Sequence, residues 1–371
     1  MCLVLHMLSS QQVIEAFTHP ESTASFTLHQ WNDLVFVLRH EKLLARFYLL
    51  LKEQGKTKFL PYNVQRHCKN AEILATKQRS VVLCETQALK QAIGNDTPFL
   101  LLLKGAAYTL RDNNAALGRV FSDIDVLVPK NVISKVESRL AIQGWLSKEL
   151  DDYDEKYYRQ WAHEIPPMQH GTRGTVLDLH HNLVPVVSGK GIDIKKFVEV
   201  TQREVNGVLT LNDAGMFYHS TIHLFFNDDY SSAFRDMTDL WLLVRDQDED
   251  FYHKLFTLCS DFGFKKESVI ALYLLQLRYD VTLPDWVSRF VEESVGKMSA
   301  WEVKLLSRVT EPKHGLLLSG QRNVLNALAE ARGHVLKMPI HILVYHTAMK
   351  LLRAIIKMVF GKHFFTKPTQ Q

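Results

Sequence analysis

The 371-residue chain is 46% hydrophobic, 23% charged and 10% aromatic, which excludes a disordered or fibrous protein and suits two or three domains. Its 44 Lys and Arg against 40 Asp and Glu leave a net charge of +4, too weak a bias to imply a nucleic-acid partner. That charge is uneven: residues 331–371 carry seven basic and no acidic side chains, so the first 330 hold 37 basic against 40 acidic, a net of −3.

The four cysteines, Cys2, Cys68, Cys84 and Cys259, form no CxxC pair, which suits neither a zinc site nor a disulfide framework and favours a reducing compartment. Residues 1–8 are apolar but lack a basic lead and run into Ser9, so they make a poor signal peptide. No apolar run reaches the roughly 18 uncharged residues of a membrane span. The expectation is a cytoplasmic protein.

In chain order, residues 31–94 read as helices. Leu34, Val35 and Leu38, then Leu43, Leu44, Phe47, Leu50 and Leu51 recur at helical spacing, with a break at Gly55 and a fresh start at Pro61. A turn cluster at 95–98 gives way to Phe99-Leu-Leu-Leu-Leu, an apolar run that fits a buried strand, and residues 106–111 predict a short helix. Residues 120–128 alternate as a strand closed by Pro129. Residues 131–143 form an amphipathic helix ending at Gly144, 175–184 a third strand, and 204–211 a hairpin turning at Asn206-Gly207. From Asp213 the chain is helical again, with a start near Pro284 and punctuation at Gly333 and Pro339. The fold class is α+β, a small mixed sheet with flanking helices. It divides into an N-terminal helical segment over 1–95, an α/β core over 96–212, a helical domain over 213–338 and a basic amphipathic tail over 339–371.

Strand alternation puts Asp123 and Asp125 on one face and Ile124, Val126 and Val128 on the other. Two carboxylates about 7 Å apart at Cα disfavour joint ionisation unless a cation neutralises them, and oxygen-only ligands suit Mg²⁺ or Mn²⁺. Isolated DxD pairs are common in turns and at solvated edges. This one lies in an apolar strand, where unpaired charge is costly. It also follows a strand ending in Lys104-Gly105, and a glycine turn into a helix N-terminus cradles phosphate. Val176, Asp178 and His180 share one face of a later strand, where Asp178 and His180 form either a hydrogen-bonded pair or part of a site.

Five segments in order carry a resemblance: Leu103-Lys-Gly-Ala-Ala, Arg119-Val-Phe-Ser-Asp-Ile-Asp-Val-Leu-Val, Val176-Leu-Asp-Leu-His-His, His223-Leu-Phe-Phe-Asn and Arg235-Asp-Met-Thr-Asp-Leu-Trp. Over roughly residues 30–260 the chain resembles the DNA polymerase β-type nucleotidyltransferase superfamily. Within it, the bacterial uncharacterised nucleotidyltransferase family is most similar. The resemblance implies metal-dependent transfer of a nucleoside monophosphate from an NTP such as ATP to an unidentified hydroxyl acceptor, with release of pyrophosphate. It implies catalytic and Mg²⁺- or Mn²⁺-binding roles for Asp123, Asp125 and Asp178. Nucleotide contacts fall to Lys104, Gly105, Ala106, Arg119 and Ser122, although Ser122, on the other strand face, suits a backbone bond better. The acceptor side is His180, His223, Arg235 and Asp239. Gly105-Ala106 departs from the superfamily's frequent Gly-Ser or Gly-Gly turn and loses one hydroxyl contact to phosphate. The alternative is a non-catalytic nucleotide-binding or antitoxin-like assembly partner with the same fold. A metal-dependent hydrolase is disfavoured because no His-rich set accompanies the carboxylates.

His219 and His223 are four apart on one helix face, which reads as packing since no HExxH arrangement is present. The acidic runs 246–250 and 151–155 read as solvated, the second with the option of shaping the acceptor side. In residues 340–360, His346, Lys350, Arg353 and Lys357 form one polar stripe among apolar residues. Such a helix either docks on the body or makes a peripheral membrane or protein contact. Nucleic acid is not an expected partner.

Overall fold

The computed structural model describes residues 7–147, 150–320 and 323–360. Cys2, the apolar residues 1–6, Lys362 and Lys367 lie outside the described residues, as does the side chain of Lys357.

Capping chemistry starts the first helices. Ser9 and Gln12 form a reciprocal capping box at α1 (Ser10–Thr18), and Thr27 and Gln30 do the same at α2 (Leu28–His40). Helix α3 (Leu44–Glu53) buries the apolar stripe read from the sequence, and the long α4 (Tyr62–Ile93) starts directly after Pro61. Helix α1 carried too few periodic residues to be read in advance.

The core alternates short strands and helices: β1 (Leu101–Leu102), α5 (Lys104–Arg111), β2 (Ile124–Leu127), α6 (Ile133–Ile142), β3 (Trp145–Ser147), α7 (Asp152–Gln160), β4 (Met168–His170), β5 (Val176–His180), α8 (Ile194–Thr201), β6 (Gln202–Val205) and β7 (Val208–Leu211). Seven strands form one mixed sheet in the order β3-β4-β5-β2-β1-β7-β6. The hairpin turns at Asn206 and Gly207, with φ of 52° and 75°, the left-handed pair that a tight two-residue hairpin needs. Strands β1, β2 and β5 are shorter than the apolar runs that announced them, and β3 and β4 carried no recognisable signal.

The remaining helices are α9 (Asp213–Phe225), α10 (Ala233–Val244), α11 (Glu249–Phe262), α12 (Lys265–Tyr279), α13 (Asp285–Gly296), α14 (Ala300–Val309), α15 (Asn323–Lys337) and α16 (Ile340–Phe360). One cluster of buried apolar side chains runs from Leu8 to Ala329, so helices from both ends of the chain share a core with the sheet. The architecture is α+β, as the sequence indicated. Cys68 and Cys259 are buried free thiols and Cys84 an exposed one.

Two C-terminal features differ from the sequence reading. Gly333 does not end a helix; it lies inside α15, where a Cβ would come 2.3 Å from the backbone oxygen of Asn227. Glycine is there to let α15 press against the loop at 227–229. The polar stripe of α16 turns inward onto α7: His346 Nδ1 lies 2.8 Å from the Tyr153 hydroxyl, Lys350 2.5 Å from Asp154 and Arg353 2.7 Å from Asp151. Ile340, Val344, Leu351, Leu352, Ile355, Met358 and Val359 are left facing outward. No helix among the described residues is long and apolar enough to cross a membrane.

Glu41, just past α2, is buried, and its carboxylate accepts a 3.2 Å hydrogen bond from the Lys313 amide. Burial pushes its carboxyl up from 4.5 to about 7. The folded state therefore holds a proton that the unfolded chain releases, so stability is greatest below about 4.5 and falls as pH rises towards 7. The full contribution is on the order of 3 kcal/mol. Glu41→Gln should flatten this part of the pH dependence in denaturant titrations at a series of pH values.

Candidate active site

The site forms where β1 hands over to α5. The Leu103 amide donates to the Asp125 carbonyl at 3.0 Å, which fixes the exit of β1 against β2. Lys104 then takes a left-handed backbone, with φ of 46°. That conformation costs a non-glycine residue of order 1 kcal/mol or more. It accompanies a side chain turned back onto β2: Lys104 Nζ lies 2.7 Å from Asp125 Oδ1. Gly105 follows as a close-approach residue, because a Cβ there would lie 2.9 Å from the Phe121 ring and 3.3 Å from Arg119 Nε. Ala106 is buried behind this turn and does not line the cleft.

Strands β2 and β5 run parallel with Asp125 directly opposite Asp178. Alternation therefore turns both carboxylates to one side, with Ile124, Val126, Leu177 and Leu179 buried on the other. His180 Nε2 donates to Asp125 Oδ1 at 3.0 Å, and its Nδ1 lies 3.4 Å from Glu164 Oε2. Asp123 precedes β2 and accepts from the Ser122 hydroxyl at 3.2 Å. These groups open into a cleft of about 550 Å³. Lys104, Gly105, Arg119, Ser122, Asp123, Asp125, Asp178, His180, His223, Arg235 and Asp239 all line it.

The electrostatics divide the carboxylates. Burial raises the Asp125 carboxyl, but Lys104 and His180 outweigh it and hold the group well below the ordinary carboxylate range. Asp178 has no such partners. Burial, then the charges of Asp125 and Glu164, push it from 3.8 to about 7, and its Oδ1 is buried without a hydrogen-bond partner. Three carboxylates around one opening, one carrying an orphaned oxygen, are short of positive charge. Oxygen donors of this kind fit a hard divalent cation.

A buried cationic wall lines the same cleft. Arg119 pairs with Asp239 on α10, which also pairs at 2.7 Å with Arg46 on α3. Arg46 is fully buried and donates to the carbonyls of Leu117 and Ala115 at 3.0 and 2.7 Å and to the Thr238 hydroxyl at 2.7 Å. Two guanidiniums thus share one carboxylate, and Arg119 Nε, beside Gly105, has no partner. Burial also raises the Asp236 carboxyl despite Arg235 at 3.4 Å. Arg46, Arg119 and Arg235 outnumber Asp236 and Asp239, so this wall is net positive. A positive wall with a free N–H next to a glycine turn suits a bound anion.

His219 and His223 lie on α9, held below their ordinary values by burial, His219 at about 3. Among the described residues they form no metal cluster. Asp151 and Asp248 cap α7 and α11.

Sequence reasoning missed four participants. Arg46 carried a signal, a cation three residues after Leu43 and four before Leu50 on the apolar face of α3. Glu164 and His163 reach the site through an isolated bridge between Glu164 and His180, which no local pattern announces. Lys337 of α15 also lines the cleft and pairs with Asp228 at 2.5 Å.

Replacing Asp239 with Asn should leave Arg46 and Arg119 uncompensated and destabilise the fold by about 3–5 kcal/mol. A shift in the denaturant midpoint at constant slope would register it.

With this geometry in place, comparison with known protein families shows that the family model described as "Uncharacterised nucleotidyltransferase" matches residues 27–280. No curated protein matches the chain.

Proposed function

Because the chain belongs to the uncharacterised nucleotidyltransferase family, we propose that it moves a nucleoside monophosphate from an NTP to a hydroxyl acceptor in a Mg²⁺- or Mn²⁺-dependent reaction that releases pyrophosphate. The observation that carries this reading is that Asp123, Asp125 and Asp178 line one cleft together with Gly105 and Arg119.

In this mechanism the triphosphate lies between the two walls. A cation held by Asp123 and Asp125, with Asp178 on its flank, would neutralise the phosphates and polarise the α-phosphorus. Lys104 moves from Asp125 to the phosphates, and the unpartnered Arg119 Nε donates to a phosphate oxygen. Gly105 lets the phosphates approach the start of α5, whose dipole favours anions. Ser122 steadies Asp123, and Ala106 supports the turn from behind.

The acceptor hydroxyl attacks the α-phosphorus in line and its proton passes to Asp178. His180 holds Asp125 in orientation. Asp239 holds Arg119, and His223 and Arg235 face the acceptor. Catalysis here consists of positioning and charge neutralisation. The mildly acidic body of the chain favours a small-molecule acceptor over nucleic acid.

The test incubates the protein with each NTP labelled at the α-phosphate, Mg²⁺ and cell extract. Label should appear on an acceptor, fall by about 10³-fold or more in Asp123→Ala, and fall by about 10²-fold in Lys104→Met. Saturable NTP binding with no transfer under any condition would instead support the non-catalytic partner.

A further inference from the structure

His180 faces a carboxylate at each ring nitrogen. Asp125 is an ionised carboxylate and can only accept, so the hydrogen of this 3.0 Å contact belongs to His180 Nε2. In the neutral ring that leaves a lone pair on Nδ1, aimed at Glu164 Oε2 3.4 Å away. Two lone pairs in opposition call for a cation between them, and either a proton on Nδ1 or a metal ion supplies it.

Three observations favour the metal. His163 stacks obliquely beside His180, ring centroids 5.3 Å apart, and one ligand atom from each of His163, Glu164 and His180 lies within 4.8 Å of the others. His163 Nδ1 is buried without a hydrogen-bond partner. The spacing between His180 Nδ1 and Glu164 also matches a ligand edge: two bonds of about 2.1 Å at the tetrahedral angle put the donors roughly 3.4 Å apart. The Asp125–His180 contact then completes the carboxylate–histidine–metal arrangement that orients metal-bound imidazoles.

We propose that His163, Glu164 and His180 bind a borderline divalent transition ion of the zinc class, separate from the Mg²⁺ or Mn²⁺ at the aspartates. Two imidazoles and one carboxylate select such an ion over Mg²⁺, which prefers oxygen donors. Three protein ligands leave a fourth position open to water or to a group on the acceptor. On binding, the ion displaces any proton from Nδ1 and fixes the His180 ring against Asp125. The inference goes beyond nucleotidyl transfer and does not depend on it.

The test titrates metal-free, full-length protein with Co²⁺ and follows visible absorption. A single equivalent should produce the intense bands of four-coordinate cobalt, bleached by Zn²⁺ and untouched by excess Mg²⁺. His163→Ala and Glu164→Gln should weaken Co²⁺ binding by about a hundredfold, while Asp123→Asn keeps the bands. Circular dichroism confirms that each variant is folded, and the isosteric Glu164→Gln carries the test if His163→Ala is not. Weak octahedral absorption alone, or bands that survive both substitutions, overturns the proposal and assigns the Nδ1 cation to a proton. Absent bands with intact label transfer would sink this inference alone; bands in a protein that transfers no label would sink only the catalytic reading.

Discussion

One carboxylate, Asp239, keeps two buried guanidiniums in place, and the cleft depends on that arrangement. Arg46 comes from α3, Arg119 from the loop before β2 and Asp239 from α10, so the cluster ties an N-terminal helix, the sheet and a C-terminal helix at one point. Burying these charges is expensive, and the surrounding carbonyls of Ala115 and Leu117 and the Thr238 hydroxyl take up the Arg46 hydrogens that Asp239 cannot. Arg46 is thereby fully occupied with architecture. Arg119 is not: one of its N–H groups stays free beside Gly105. The cluster converts one arginine into a structural post and presents the other to the cleft.

Among the carboxylates of β2 and β5 the balance is reversed. Asp125 is neutralised by Lys104 and His180, whereas Asp178, its direct neighbour on β5, has neither. Parallel pairing places like charges side by side, and the protein resolves the conflict unequally, with one carboxyl held low and the other pushed to about 7. The left-handed backbone at Lys104 belongs to the same economy. It is a local strain tolerated where the chain must leave a buried strand, open a helix and return a cation to the adjacent strand within one residue.

How much of this was legible in the sequence follows from the range of each interaction. The Asp123–Asp125 strand, the Lys104-Gly105 turn and the Asp178–His180 strand could be read because alternation and turn chemistry are local. Strands β3 and β4 have three residues each, too few for alternation to register, and become strands only because β4 pairs with β5 and β3 with β4. Glu164 and His163 belong to no regular element and enter the site through one bridge to His180, so a His-containing cluster that seemed missing from the sequence was assembled by tertiary pairing. Of the two settings read for α16, the contacts show docking on the body, made through the polar stripe. Asp151 and Asp154, which read as solvated, draw Arg353 and Lys350 inward.

The family match ends at residue 280, yet the cleft does not. Gly333 lets α15 rest against the backbone at Asn227 and Asp228, and four residues later Lys337 reaches the rim. Residues 281–371 lie outside the family match, so α15 brings to the cleft a cation, Lys337, that the matched region does not contain. A cut after residue 280 would remove that cation and leave all three aspartates in the chain.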